Sequence, residues 1–222
     1  PLWIGLATGN VLGHLVFGVA LRIVITHHTT FFINSAAHMF GSRPYTDANT
    51  ARDNWLLAPL TCGEGYHNFH HLWQWDYRNG ALWYQWDTTK WLLNVLAGVG
   101  LVGQFRRVSV AAMTRARLHM EEKRLRERLA LASPGVAAPM HDRLAAARLK
   151  LDAALAALHD RHEAWQLKKA EWRAKGLAKA ETWREANAEW KASITAQRAE
   201  LKAAWAEWKA ARLEVRSALV YA

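Results

Sequence analysis

Hydrophobic and polar positions divide this 222-residue chain into two unlike halves. From Leu2 to Ile25 the sequence is almost continuously apolar, with Asn10, His14 and Arg22 as its strongly polar members. A helix of about twenty apolar residues crosses a bilayer. Gly9-Asn10 interrupts the run. The pattern therefore predicts the tail of one membrane segment, a short turn, and a second spanning helix over about 11–33. A buried core helix of a soluble protein fits the same pattern. Arg22 counts mildly against a span, although a charge that faces a bundle interior is usually functional.

Polar, turn-rich sequence follows at Gly41-Ser42-Arg43-Pro44-Tyr45-Thr46-Asp47, where Pro44 disfavours helical angles at Arg43. Asp53-Asn54 is placed to cap a short helix from Trp55 toward Cys62. Trp91 to Gly103 is apolar but too short for a span, and suits an interfacial or packed helix. Trp73, Trp75, Trp83, Trp86 and Trp91 crowd that region. Such rings favour the membrane–water boundary, and a cluster of core aromatics is the alternative.

From Ser109 onward Ala, Leu, Arg, Lys and Glu dominate, all good helix formers. Ser133-Pro134-Gly135 and Pro139 interrupt them, which predicts helices over 109–131 and 141–219. The second carries a repeat: Ala170-Glu171-Trp172-Arg173, Ala188-Glu189-Trp190-Lys191 and Ala206-Glu207-Trp208-Lys209. Eighteen residues make five helical turns, so the three Trp fall on one side. Trp165, Trp183, Leu201 and Val215 join that stripe by steps of seven and eleven, a mixture that gives almost no supercoil. A long, nearly straight helix is expected, with Gly176 weakening but not ending it. Its apolar seam needs a partner: another helix, a second copy of the chain, or the membrane surface. Packing against a helix is favoured.

Composition sharpens the division. Residues 1–108 hold seven of the eleven His and a net charge of +2, so most of the overall +10 belongs to the second half. Basic surface can meet nucleic acid, anionic lipid or an acidic protein. Both signs are interspersed here, which is the pattern of a solvated helix, and no nucleic-acid partner is expected. The lone Cys62 excludes an intrachain disulfide. No charged leader or cleavage site precedes the apolar run, and a start at Pro1 directly in apolar sequence is expected of a piece whose upstream part lies elsewhere.

The chemistry-bearing residues are histidines. His67, His70 and His71 stand at i, i+3 and i+4, on one helical face. His38 lies just beyond the apolar segment, near its membrane exit if that segment spans, and a loop of twenty-eight residues returns the chain to His67. Neutral imidazole ligates iron, copper and zinc. Asn34 precedes His38 by one helical turn, where an amide can hold a metal-bound water. Glu64 and Asn68 are candidates to accept an imidazole N–H and fix its tautomer. Arg43, Arg52, Arg78 and Lys90 are candidates to meet a phosphorylated headgroup or an acidic electron donor.

Thr30-Phe31-Phe32-Ile33-Asn34-Ser35-Ala36-Ala37-His38, followed by Gly41-Ser42-Arg43-Pro44-Tyr45, is similar to the segment around the last spanning helix of acyl-CoA delta-9 desaturases. Gly63-Glu64-Gly65-Tyr66-His67-Asn68-Phe69-His70-His71 resembles their final histidine box. Asp76-Tyr77-Arg78, Trp86 through Trp91 and Gly100 through Ser109 continue the resemblance, which covers residues 1 to about 118. The His-x-x-His-His spacing alone is shared with membrane hydroxylases and sterol desaturases, whereas the Asn-Ser-Ala-Ala-His and Gly-Glu-Gly contexts are more specific. The chain resembles the C-terminal part of a membrane-bound, bacterial-type member.

That resemblance implies a two-iron centre built almost wholly from histidine, with His38, His67, His70 and His71 as ligands and Asn34 holding a water on one metal. It implies O2-dependent formation of a cis double bond in an acyl-CoA or lipid-linked acyl chain, with electrons from a small haem or iron–sulfur carrier. It places the protein in a membrane, the bacterial inner membrane, with histidine motifs and tail on the cytoplasmic side. Family members carry two earlier histidine clusters that this sequence lacks, and His27-His28 does not have their spacing. Leu72-Trp73-Gln74-Trp75 replaces the Phe-Pro step usual after the final box. Two other readings stand beside this one: a hydroxylase on the same scaffold, and an inactive helical module. The expected fold is all-α, with membrane-spanning helices, cytosolic histidine-box helices over 34–108 and a long straight C-terminal helix. Residues 119–222 form its basic Ala/Trp-rich tail, through which self-association is an expected option.

Overall fold

The computed structural model describes residues 1–175 and 181–220. Its regular structure is helical, and no strand occurs among the described residues. The chain divides into two compact units, Pro1–Ser109 and Val110–Ala222.

The first unit opens with α1 (Leu2–Thr8), which ends at Gly9 in the left-handed conformation (φ 72°). Asn10 then caps α2 (Val11–Leu15), its side chain accepting from the Gly13 amide at 2.9 Å. The interruption expected at Gly9-Asn10 is thus a turn between two helices. A π-helical segment (Val16–Leu21) continues into α3 (Arg22–Asn34) and, past Ser35, α4 (Ala36–Met39). The stretch Val11–Met39 is long and apolar enough to cross a membrane, and its most apolar window has no buried residue. Leu12, Phe17 and Phe31 all project outward. A soluble core helix buries such side chains, so the exposed apolar surface fits a lipid-facing helix better.

Residues 40–66 contain no regular helix. The short helix expected from Trp55 is instead a run of turns, whose start Asn54 caps by accepting from the Leu56 and Leu57 amides. Two isolated bridges, Ser42 with Asp53 and Asp53 with Tyr66, hold this segment against α5 (His67–Leu72). Helix α6 (Thr88–Gly98) is capped by Asp87, which accepts from the Lys90 amide at 2.8 Å. The other Asp87 oxygen accepts from Asn79 and Gly80. Buried Lys90 donates to the carbonyls of Gly80, Leu82 and Gln85, closing the loop that precedes α6.

The second unit comprises α7 (Val110–Leu129), α8 (Pro134–Ala174) and α9 (Glu181–Ala218). Helix α8 begins at Pro134, earlier than expected. Proline is tolerated in a first helical turn because its missing N–H has no intrahelical partner there. Pro139 sits inside the helix without ending it. The single helix expected over 141–219 is two helices, since α8 stops at Ala174; Gly176 lies outside the described residues. They run antiparallel: Arg143 pairs with Glu214, Lys150 with Glu207 (2.7 Å), and Trp165 stacks on Trp190. The partner that the apolar seam requires is therefore the chain itself. Leu118, Leu125 and Leu129 of α7, Leu144, Leu151 and Leu155 of α8, and Trp208, Ala211 and Val215 of α9 form one core. Glu121 accepts from Trp208 Nε1 (3.4 Å) and from Arg212 (2.6 Å), so the buried indole keeps a partner.

Candidate metal centre

Helix α5 is only six residues long and has no side-chain cap of its own at Tyr66. Asp53 serves instead. Its Oδ1 accepts from the amides of Asn68 (2.9 Å) and Phe69 (3.1 Å), satisfying donors that a short helix leaves open. The Gly-Glu-Gly step before it has a steric reason. Gly63 has φ 109°, and a Cβ on Gly65 would lie 2.4 Å from the Ala58 backbone nitrogen. A side chain there would collide with the Asn54 and Ala58 backbone, so the turn run closes on itself as it does only with glycine at position 65.

These contacts bring His38 of α4 onto His67 and His71 of α5. The Nε2 atoms of His67 and His38 are 3.1 Å apart, and those of His71 and His67 3.0 Å. The three side chains each present a ring nitrogen within 4.8 Å of the others. His70 stacks on His67 at 5.8 Å between ring centroids and stays outside that trio. His67 is buried. Desolvation, then the neighbouring charges of His71, His38 and His70, lower its pKa to about 4. Burial, then the charges of His38 and His70, also lower that of His71. Both rings are therefore neutral at pH 7, the state in which imidazole ligates a metal.

The donor set fits a divalent transition ion. Neighbouring nitrogens each about 2.1 Å from one ion, at right angles, lie about 3 Å apart, close to the observed separations. His67 Nε2 has a single proton or lone pair to offer, yet it faces two other ring nitrogens, those of His38 and His71. Without a metal, such packing of rings leaves polar atoms poorly satisfied, which is costly.

The other expected residues go elsewhere. Asn34 donates its amide to the Thr30 carbonyl at 3.2 Å. The Glu64 carboxylate accepts from Asn79 at 2.5 Å, while the Glu64 backbone is a hydrogen-bond partner of His67 that works against the lowering of its pKa. Asn68 is fully buried and holds backbone: it accepts from the Tyr45 and Thr46 amides and donates to the Thr46 and Ala51 carbonyls. Its amide is spent on that loop and not on an imidazole. Arg78 pairs with Asp76 at 2.7 Å, and that carboxylate also accepts from the Val108 amide. With Lys90 closing its own loop, these two cations are committed to structure. Arg52 donates to the Gly41 carbonyl.

One contact at the cluster has no counterpart in the sequence reading: His38 Nδ1 lies 2.9 Å from Thr50 Oγ1. No periodicity links positions twelve apart across a loop, so only the fold reveals it.

No family model matches the chain. Over 121 residues, 54% of the chain, it is 40% identical to Acyl-CoA desaturase 1 of Saccharomyces cerevisiae. It is 43% identical over 100 residues, 45% of the chain, to a probable acyl-CoA desaturase of Schizosaccharomyces pombe. These relatives are fatty acyl desaturases. The sn-2 palmitoyl-lipid 9-desaturase of Nostoc sp. is 39% identical over 85 residues, 38% of the chain. The matched parts span 24%, 21% and 30% of those three desaturases' own lengths. Relatives from yeasts and a plant (Anemone leveillei) stand beside the cyanobacterial one, so the similarity extends well beyond a bacterial type.

Proposed function

We propose that this chain contributes part of the metal centre of a membrane-bound fatty acyl desaturase. One observation carries the reading: three imidazoles converge at ligand spacing within a chain similar to acyl-CoA and lipid desaturases. Iron is the metal, as the chemistry requires. When bound, it supplies the O2 activation needed to take hydrogen from an unactivated C–H bond, since no protein base deprotonates an alkane. In balance, two hydrogens leave adjacent acyl carbons, and O2 becomes two waters with two further electrons and two protons. A small haem or iron–sulfur protein delivers the electrons.

His38, His67 and His71 would hold the metal together, with His70, stacked on His67, as a further imidazole beside them. Asn34 would hold a water beside the metal if its amide left the Thr30 carbonyl. The helix Val11–Met39 spans the membrane and presents His38 at its exit on the cytoplasmic side. Its exposed apolar side chains face lipid and the acyl substrate.

The test uses the complete protein. Acyl chains from cells that express it are analysed for new cis double bonds, and the purified protein for metal. An alkene product with bound iron is expected. A hydroxylated product without alkene, or zinc in place of iron, overturns the reading.

A further inference from the structure

Of the three converging imidazoles, only His38 has its far nitrogen hydrogen-bonded within the chain by a side chain whose place is itself fixed. We propose that Thr50 is a positioning residue: its hydroxyl accepts the Nδ1–H of His38 and so holds the Nε2 lone pair toward His67 and His71. The inference rests on the metal reading above and deepens it.

A neutral imidazole carries one proton, on either nitrogen. His38 Nε2 faces His67 Nε2 at 3.1 Å and is the atom that would ligate. Ligation needs its lone pair, so the proton belongs on Nδ1, where the Thr50 oxygen is 2.9 Å away. A partner on the far nitrogen fixes both tautomer and ring orientation, and its loss typically weakens metal binding tenfold to a hundredfold.

The hydroxyl is not there by chance of a loose loop. The Arg52 amide donates to the Ala37 carbonyl at 2.7 Å, tying the loop to α4 one residue from His38. Asn68 Nδ2 donates to the Ala51 carbonyl at 2.9 Å, tying the same loop to α5 beside His67. The Ala51 amide donates to Asn49 Oδ1 at 3.0 Å, shaping the turn that carries Thr50. The two elements that supply imidazoles thus grip one short segment between them. Asn68, expected to act on an imidazole directly, acts on His38 through Thr50.

The complete protein in detergent is stripped of metal and titrated with cobalt(II), whose ligand-field absorption reports imidazole coordination. Thr50→Val should bind cobalt roughly tenfold to a hundredfold more weakly, and Thr50→Ser should keep the wild-type affinity. Thermal melting of the metal-free variants checks the fold. If valine unfolds the protein, Thr50→Ala at this exposed position makes the same comparison. Wild-type affinity in a folded Thr50→Val or Thr50→Ala variant overturns the positioning role. So does equal weakening in Thr50→Ser, which would indicate packing and not the hydroxyl. His38→Ala separates the two levels. If it abolishes the cobalt band while Thr50→Val changes nothing, the metal site stands and the role of Thr50 falls. If the wild type gives no cobalt band, the metal reading falls and the proposal with it.

Discussion

The two units bury opposite kinds of residue. Every buried polar or charged side chain among the described residues belongs to the first: Thr61, His67, Asn68, Asp76, Asp87 and Lys90. The second buries Leu, Ala, Val and Trp in one helical core and keeps its charged side chains exposed or half-buried, several of them in ion pairs such as Arg148–Glu122 and Arg212–Glu121. The first unit also exposes large apolar side chains along Val11–Met39 and around Trp83, Tyr84 and Leu92. The contrast teaches what each half is for. Apolar burial stabilises without regard to direction, and suits a scaffold. A buried hydrogen-bonded network stabilises only in one geometry, which is what holding three imidazoles demands.

The contrast is broken or sharpened by substitution. His67→Ala in the complete protein should reduce desaturation to background and remove bound iron, while the second unit's helices survive by circular dichroism. Retained iron would contradict the central place of His67. Trp208→Ala should cost the second unit about 3–5 kcal/mol in denaturant unfolding and leave metal content unchanged. A loss of iron there would show that the units are not energetically separate. Asp53→Ala removes the remote cap of α5 and should cost about 1–2 kcal/mol, together with weaker metal binding. If iron affinity is unaffected, the cap is not what sets the imidazole geometry.

Acidification gives a graded effect. His67 has its folded pKa lowered to about 4, so the unfolded chain takes up the proton first as pH falls. Its contribution is fully present above about pH 6.5 and is lost as pH drops toward 4. Melting of the metal-free first unit should decline across that window, and a flat profile contradicts a buried neutral His67. The smallest effect belongs to the exposed Arg143–Glu214 pair. Arg143→Ala should change stability by no more than about 1 kcal/mol, because solvent screens such pairs; a larger loss in unfolding would mean that surface charge, and not the core, pairs α8 with α9.

Much of this was legible in the sequence where one signal is local. The turn at Gly9-Asn10, the apolar helix after it and the same-face spacing of His67 and His71 follow from local periodicity. The helical hairpin was not, because the eighteen-residue Trp repeat is equally satisfied by one straight helix and by two that face each other. In the sequence Asp53 caps its own successor, since capping is usually local. Only the tertiary fold sends it across to α5, while Asn54 caps the neighbouring turns. Arg78 and Lys90 have the sequence signature of free cations, because burial of a charge leaves no mark on composition.

Lys90 carries a practical consequence. It is the one lysine among the described residues that is buried, with its ammonium held by three carbonyls. Burial also lowers its pKa, although the water-excluding carbonyl cage is what blocks approach. Amine-reactive acylating reagents should therefore label the exposed lysines of the C-terminal helices quickly and this one slowly. Its labelling rate, read by peptide mass spectrometry, becomes a built-in gauge of whether the loop before α6 is intact in any detergent or variant.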